Sequence, residues 1–152
     1  MNVAVYSRKS IEILISNGIF PKNTTIISFY DPHEIAKSDY LPVDYSQVTD
    51  DVFYVAIPDY DLEELNFDMS AIQTFFPEAQ ELAHFIIEAH QNGRDIICQC
   101  DYGQSRSAGC AMAILEYFDN AGKTIFENPQ YFPNQLVFAK VYSALKQIKH
   151  ER

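Results

Sequence analysis

Four short runs, NVAVYS, TTIISFY, DVFYVAI and DIICQC, are rich in the β-branched and aromatic residues that suit a pleated, half-buried surface. Segments with helical patterning separate them, which implies parallel or mostly parallel pairing through crossover connections. DIICQC is apolar enough to lie centrally in a sheet covered on both faces. The expected fold is therefore α/β, with a central, mostly parallel sheet of about four to five strands flanked by helices. Neither repeat, low-complexity tract nor linker interrupts the chain, so residues 1–152 are expected to form a single domain.

The connecting segments support this reading. SRKSIEILISNG carries Ile11, Leu14 and Ile15 at helical spacing and stops at Gly18. Residues 33–50 read as irregular, and an acidic loop follows the third strand. Between Ser70 and Asn92, Leu82, Phe85, Ile86 and Ala89 predict an amphipathic helix, with Pro77 tolerable near a start or kink. Further helices are expected from about Arg106 to Asn120 and from about Pro133 to His150. In the last of these, Leu136, Phe138, Val141 and Leu145 form the inner face.

Composition narrows the function. With 21 acidic against 11 basic residues, the net charge of -10 opposes general attraction to nucleic acid or to an anionic membrane. No apolar run is long enough to span a bilayer, and MNVAVYSRKS lacks the order of a signal peptide. Cys98, Cys100 and Cys110 are clustered and odd in number, which disfavours a disulfide framework and makes a reducing cytoplasm the expected compartment. His33, His84, His90 and His150 show no metal-ligand spacing.

In such sheets ligands bind beyond the C-terminal strand ends, where the third strand presents Asp59 and the fourth presents Cys100. A strand-end cysteine alone is usually a small apolar residue. The register of Gly103, Arg106 and Ser107 after Cys100 changes that reading. Asp101, Tyr102, Gly103, Gln104 and Ser105 form a turn whose backbone N–H groups can converge on an anion, at the start of a helix. Arg106 stands where the helix dipole is positive, so it needs an anion, and its planar guanidinium can bind phosphate through two parallel hydrogen bonds. The same positive field favours a thiolate at Cys100, the form that attacks phosphorus.

The stretch CDYGQSRSAG, with its Cys-x5-Arg spacing and following serine, resembles the signature of the cysteine-dependent protein tyrosine phosphatase superfamily. It looks most like the dual-specificity and small prokaryotic or phage-type branches. IISFYDP is similar to the superfamily's second strand and PNQLVFAKVYSAL to its final helix. The resemblance implies that Cys100 is the nucleophile, that Arg106 binds phosphate, that residues 101–106 line the loop, and that Ser107 supports the leaving thiolate. Gln99 stands where the superfamily usually has histidine, which departs from the pattern around the thiolate.

Expelling an alkoxide or phenolate requires a proton donor. Ile57-Pro58-Asp59 resembles the superfamily's Trp-Pro-Asp loop, which makes Asp59 the leading acid, with Asp61 and then Asp68 behind it. This chemistry needs neither a metal nor an organic cofactor.

The expected activity is hydrolysis of phosphotyrosine, with phosphoserine and phosphothreonine as further substrates, in a phosphorylated protein or peptide by a monomeric enzyme. The alternatives are a phosphate-binding pseudophosphatase and a phosphatase of a non-protein phosphomonoester. Sulfur transfer and arsenate reduction also use a loop cysteine, but Ser107 and the upstream acid disfavour the former. Asp101, Tyr102 and Gln104 add no cation for extra phosphates, which disfavours inositol lipids. Cys98 shares a strand face with Cys100, so a sulfenic acid at Cys100 could condense with it.

Overall fold

The structure is a computed structural model that describes residues 1–37 and 39–151. Ser38 and Arg152 lie outside the described residues, as do the side chains of 149–151, including His150. Four strands, β1 (Val3–Ser7), β2 (Thr24–Tyr30), β3 (Val52–Ala56) and β4 (Asp95–Cys100), form one sheet in the order β1-β4-β2-β3. All neighbours are parallel. The expected α/β layering holds, and the sheet is wholly parallel among the described residues.

The late insertion of β4 between β1 and β2 creates the site. The chain moves outward from β1 to β3, then doubles back to fill the gap. Right-handed crossovers in opposite directions place their helices on opposite faces. Accordingly α1 (Arg8–Ser16) packs on one face, where Ile11 joins Ile26, Ile97, Val43 and Tyr45. The other face carries α3 (Ala79–Gln91), α4 (Arg106–Asp119) and α6 (Gln135–Glu151) over Ile96, Cys98 and Cys100. Alternation along β4 thus sends Cys100 to the large core and Gln99 to the smaller one.

The single helix expected over 70–92 is two helices, α2 (Met69–Thr74) and α3. Pro77 lacks an amide and disfavours helical backbone at the residue before it. That residue, Phe76, has φ +59 and buries its ring edge-on to Phe29, with centroids 6.3 Å apart. Core packing at Phe76 therefore ends one helix and restarts another. A four-residue helix, α5 (Lys123–Phe126), was not visible in the pattern. The irregular stretch 33–50 contains a short 3-10 turn at Glu34–Ala36 and contributes buried Val43 and Tyr45.

Candidate active site

β4 ends at Cys100, and α4 begins six residues later at Arg106 without a side-chain cap. The connecting turn is held from outside. The Asp101 carbonyl accepts the Arg8 amide at 3.1 Å, and the Gln104 carbonyl accepts the Phe132 amide at 2.8 Å. The Ser105 carbonyl accepts the amides of Asn134 at 3.0 Å and Gly109 at 2.8 Å. These bonds commit the carbonyls of Asp101, Gln104 and Ser105 to partners within the fold and leave the turn's N–H groups as the ones an anion cradle would use.

Gly103 shows how tightly the turn is seated. Its φ is +66, and a Cβ there would lie 2.6 Å from the backbone nitrogen of Ser7. Only glycine permits both the conformation and the approach to the end of β1.

Cys100 is buried, and its Sγ lies 3.0 Å from the Oγ of Ser107. Arg106 is 4% exposed. Its Nη1 donates to the Ile57 carbonyl at 2.8 Å, and its Nη2 meets the Asp101 carboxylate at 3.3 Å. Its Nε is buried with no hydrogen-bond partner among the described residues. A cleft of about 760 Å³ opens beside Arg106, lined by it and by Asp101, Tyr102, Asp59, Tyr40 and Arg8 among others, with Cys100 and Ser107 behind the lining. Tyr102 is 81% exposed at its mouth.

The three acid candidates differ in their surroundings. Asp59 lines the cleft, and its Oδ1 accepts the Ser105 hydroxyl at 2.7 Å and the Asn134 side-chain amide at 3.2 Å. Asp61 instead accepts the amides of Gln135 at 2.8 Å and Leu136 at 3.1 Å, capping α6. Asp68 accepts the amides of Ser70 at 2.9 Å and Ala71 at 3.1 Å, capping α2. Both caps occupy their carboxylates with structural work. Asp61→Ala is therefore expected to cost about 1 kcal/mol of stability. That loss would lower the melting temperature by roughly 2–4 °C. Turnover should be retained; a severe loss of turnover without a change in melting would return Asp61 to the chemistry.

Gln99 takes a role away from the thiol. Its Oε1 accepts the hydroxyls of Ser28 at 2.6 Å and Tyr45 at 2.7 Å on the opposite face. Burial pushes the Tyr45 hydroxyl up from the ordinary phenol value, which keeps it a donor. Cys98 is fully buried; its contact with Cys110 and its burial raise its pKa well above the usual thiol value.

Sequence reasoning missed Asn134, Tyr40 and Arg8. Asn134 caps α6 through its own Oδ1, which accepts the Val137 amide at 2.9 Å, while its amide group braces Asp59. A Pro-Asn pair before a helix was the available signal. His33 and His90 stack on Tyr60 and Phe118, with centroids 6.4 and 4.0 Å apart. Among the described residues no group of three His, Cys, Asp or Glu side chains could hold a metal, and no helix is long and apolar enough to cross a membrane.

No family model matches the sequence, and no curated protein matches it. Solved structures do match the architecture. Human tyrosine phosphatase-like serine/threonine/tyrosine-interacting protein aligns over 95% of this chain and 85% of its own, at 18% identity and TM-score 0.53. Human DUSP28 aligns over 99% and 95%, at 13% identity and TM-score 0.54. PTPMT1, solved in complex with PI(5)P, aligns over 99% and 94%, at 12% identity and TM-score 0.55. The fold is that of the protein tyrosine and dual-specificity phosphatases.

Proposed function

We propose that this chain is a cysteine-dependent phosphatase that hydrolyses phosphotyrosine, with phosphoserine and phosphothreonine as further substrates, in proteins or peptides. One observation carries the reading: a buried guanidinium with an unpartnered Nε at the first residue of an uncapped helix, on the turn that follows a buried cysteine. A buried N–H donor without an acceptor is costly unless a ligand completes it. A phosphoryl oxygen supplies the missing acceptor.

In the first step the Cys100 thiolate attacks phosphorus, an S–P bond forms, and the bond to the leaving oxygen breaks. Asp59 donates its proton to that oxygen. The loop amides and Arg106 stabilise charge on the equatorial oxygens. In the second step water attacks the phosphocysteine and Asp59 takes its proton. The S–P bond then breaks, with the Ser107 hydroxyl at 3.0 Å able to donate to the departing sulfur. Asn134 and Ser105 fix the acid in position throughout.

The test is hydrolysis of p-nitrophenyl phosphate by purified protein in the presence of a metal chelator, with vanadate as inhibitor. Turnover that vanadate suppresses supports the reading. Protein that neither turns over the ester nor binds vanadate would remove it. A panel of phosphotyrosine and phosphothreonine peptides then measures selectivity.

A further inference from the structure

One charged group in the cleft has no task in the chemistry above. Asp101 follows Cys100 directly and turns its carboxylate toward Arg106, with Oδ2 at 3.3 Å from Nη2. A second anion beside a phosphate site repels the ligand, so its presence calls for a compensating role. Its other contacts indicate what that role is.

The Tyr40 hydroxyl lies 3.1 Å from both carboxylate oxygens of Asp101. The same hydroxyl oxygen accepts the Asp31 amide at 3.0 Å. The guanidinium of Arg8 sits over the Tyr40 ring, 5.5 Å from its centroid, and donates to the Leu41 carbonyl. Burial, with the nearby Asp101 charge adding to it, raises the Tyr40 pKa above the ordinary phenol value, so the hydroxyl stays protonated and donates. The contacts therefore run from the end of β2, through Tyr40, to Asp101 and onto Arg106.

Arg106 is gripped at both of its terminal nitrogens, by the Ile57 carbonyl and by Asp101. Two anchors at Nη1 and Nη2 fix the plane of the guanidinium. Each terminal nitrogen keeps a second N–H, and Nε is the guanidinium nitrogen with no partner among the described residues. A bidentate phosphate contact depends on that plane being set before the ligand arrives.

We propose that Asp101, anchored by Tyr40, is the positioning residue for Arg106, setting the guanidinium so that Nε faces the phosphoryl group. The proposal rests on the phosphatase reading above. It assigns Tyr40, from the irregular segment, to the site, and gives the Asp101 side chain a task apart from the loop amides.

The experiment compares Asp101→Ala, Asp101→Asn, Tyr40→Phe and the Tyr40→Phe/Asp101→Ala double variant with the parent. It reads kcat and KM for p-nitrophenyl phosphate, vanadate inhibition and melting temperature. Asp101→Ala is expected to raise KM and the vanadate inhibition constant roughly tenfold, the scale of one misaligned charge-assisted hydrogen bond. Asp101→Asn, which keeps an oxygen acceptor, restores most of that loss. Tyr40→Phe, which removes one hydroxyl and leaves the ring in place, has a smaller effect alone and none in the Asp101→Ala background.

Vanadate binding by Asp101→Ala that equals or exceeds the parent's would overturn the proposal, because the carboxylate would then only compete with the ligand. A full additional effect of Tyr40→Phe in the Asp101→Ala background would overturn it too. An active parent with unchanged variants sinks this inference alone. A parent that neither turns over the ester nor binds vanadate sinks the phosphatase reading with it.

Discussion

Cys100→Ser is expected to abolish turnover of p-nitrophenyl phosphate while leaving phosphate binding intact. An alcohol is not ionised at neutral pH, so the attacking atom is lost, whereas the shape of the buried side chain is nearly kept. Removing a nucleophile that acts as a unit with its partners costs on the order of 10⁶-fold in kcat. The loop amides and Arg106 do not depend on the sulfur for their positions, since Arg8, Phe132, Asn134 and Ile57 hold them. Phosphate should therefore bind at least as tightly as before. Steady-state kinetics and calorimetry on the variant measure the two halves. Full activity in Cys100→Ser would eliminate the covalent mechanism.

Asp59→Asn should slow aryl phosphate hydrolysis by roughly 10²–10⁴-fold, the usual contribution of a positioned general acid. The asparagine keeps an oxygen that can accept from Ser105 and Asn134, so the loop holding residue 59 should stay in place. The loss should fall mainly on kcat and grow as the leaving group becomes a poorer one. An unchanged rate across such a series would deny Asp59 the role. Neither Asp61 nor Asp68 would replace it readily, because each is committed to a helix terminus.

Particular residues show why some of this was legible in the sequence. TTIISFY and DIICQC declare buried strands because their apolar content exceeds what a one-sided strand needs. Cys100 to Ser107 were legible because a whole constellation of cysteine, glycine, arginine and serine falls within a single turn. The break at Phe76 was hidden because it depends on a contact with Phe29 on a distant strand. The capping role of Asp61 was hidden likewise, since its partners Gln135 and Leu136 lie 74 and 75 residues onward. Tyr40 sits in a stretch without periodicity, so no local rule could attach it to Asp101.

The outward hydrogen bonds of the turn tie function to the completeness of the fold. Residue 8 braces one end of the turn, and residues 132 and 134 brace the other, so partners near both chain ends clasp a segment at its middle. A fragment shorn of either end would keep the signature sequence but lose the scaffolding that orients its peptide planes. Catalysis would then report on global folding: in partial denaturant, turnover should vanish together with the cooperative loss of the sheet rather than ahead of it.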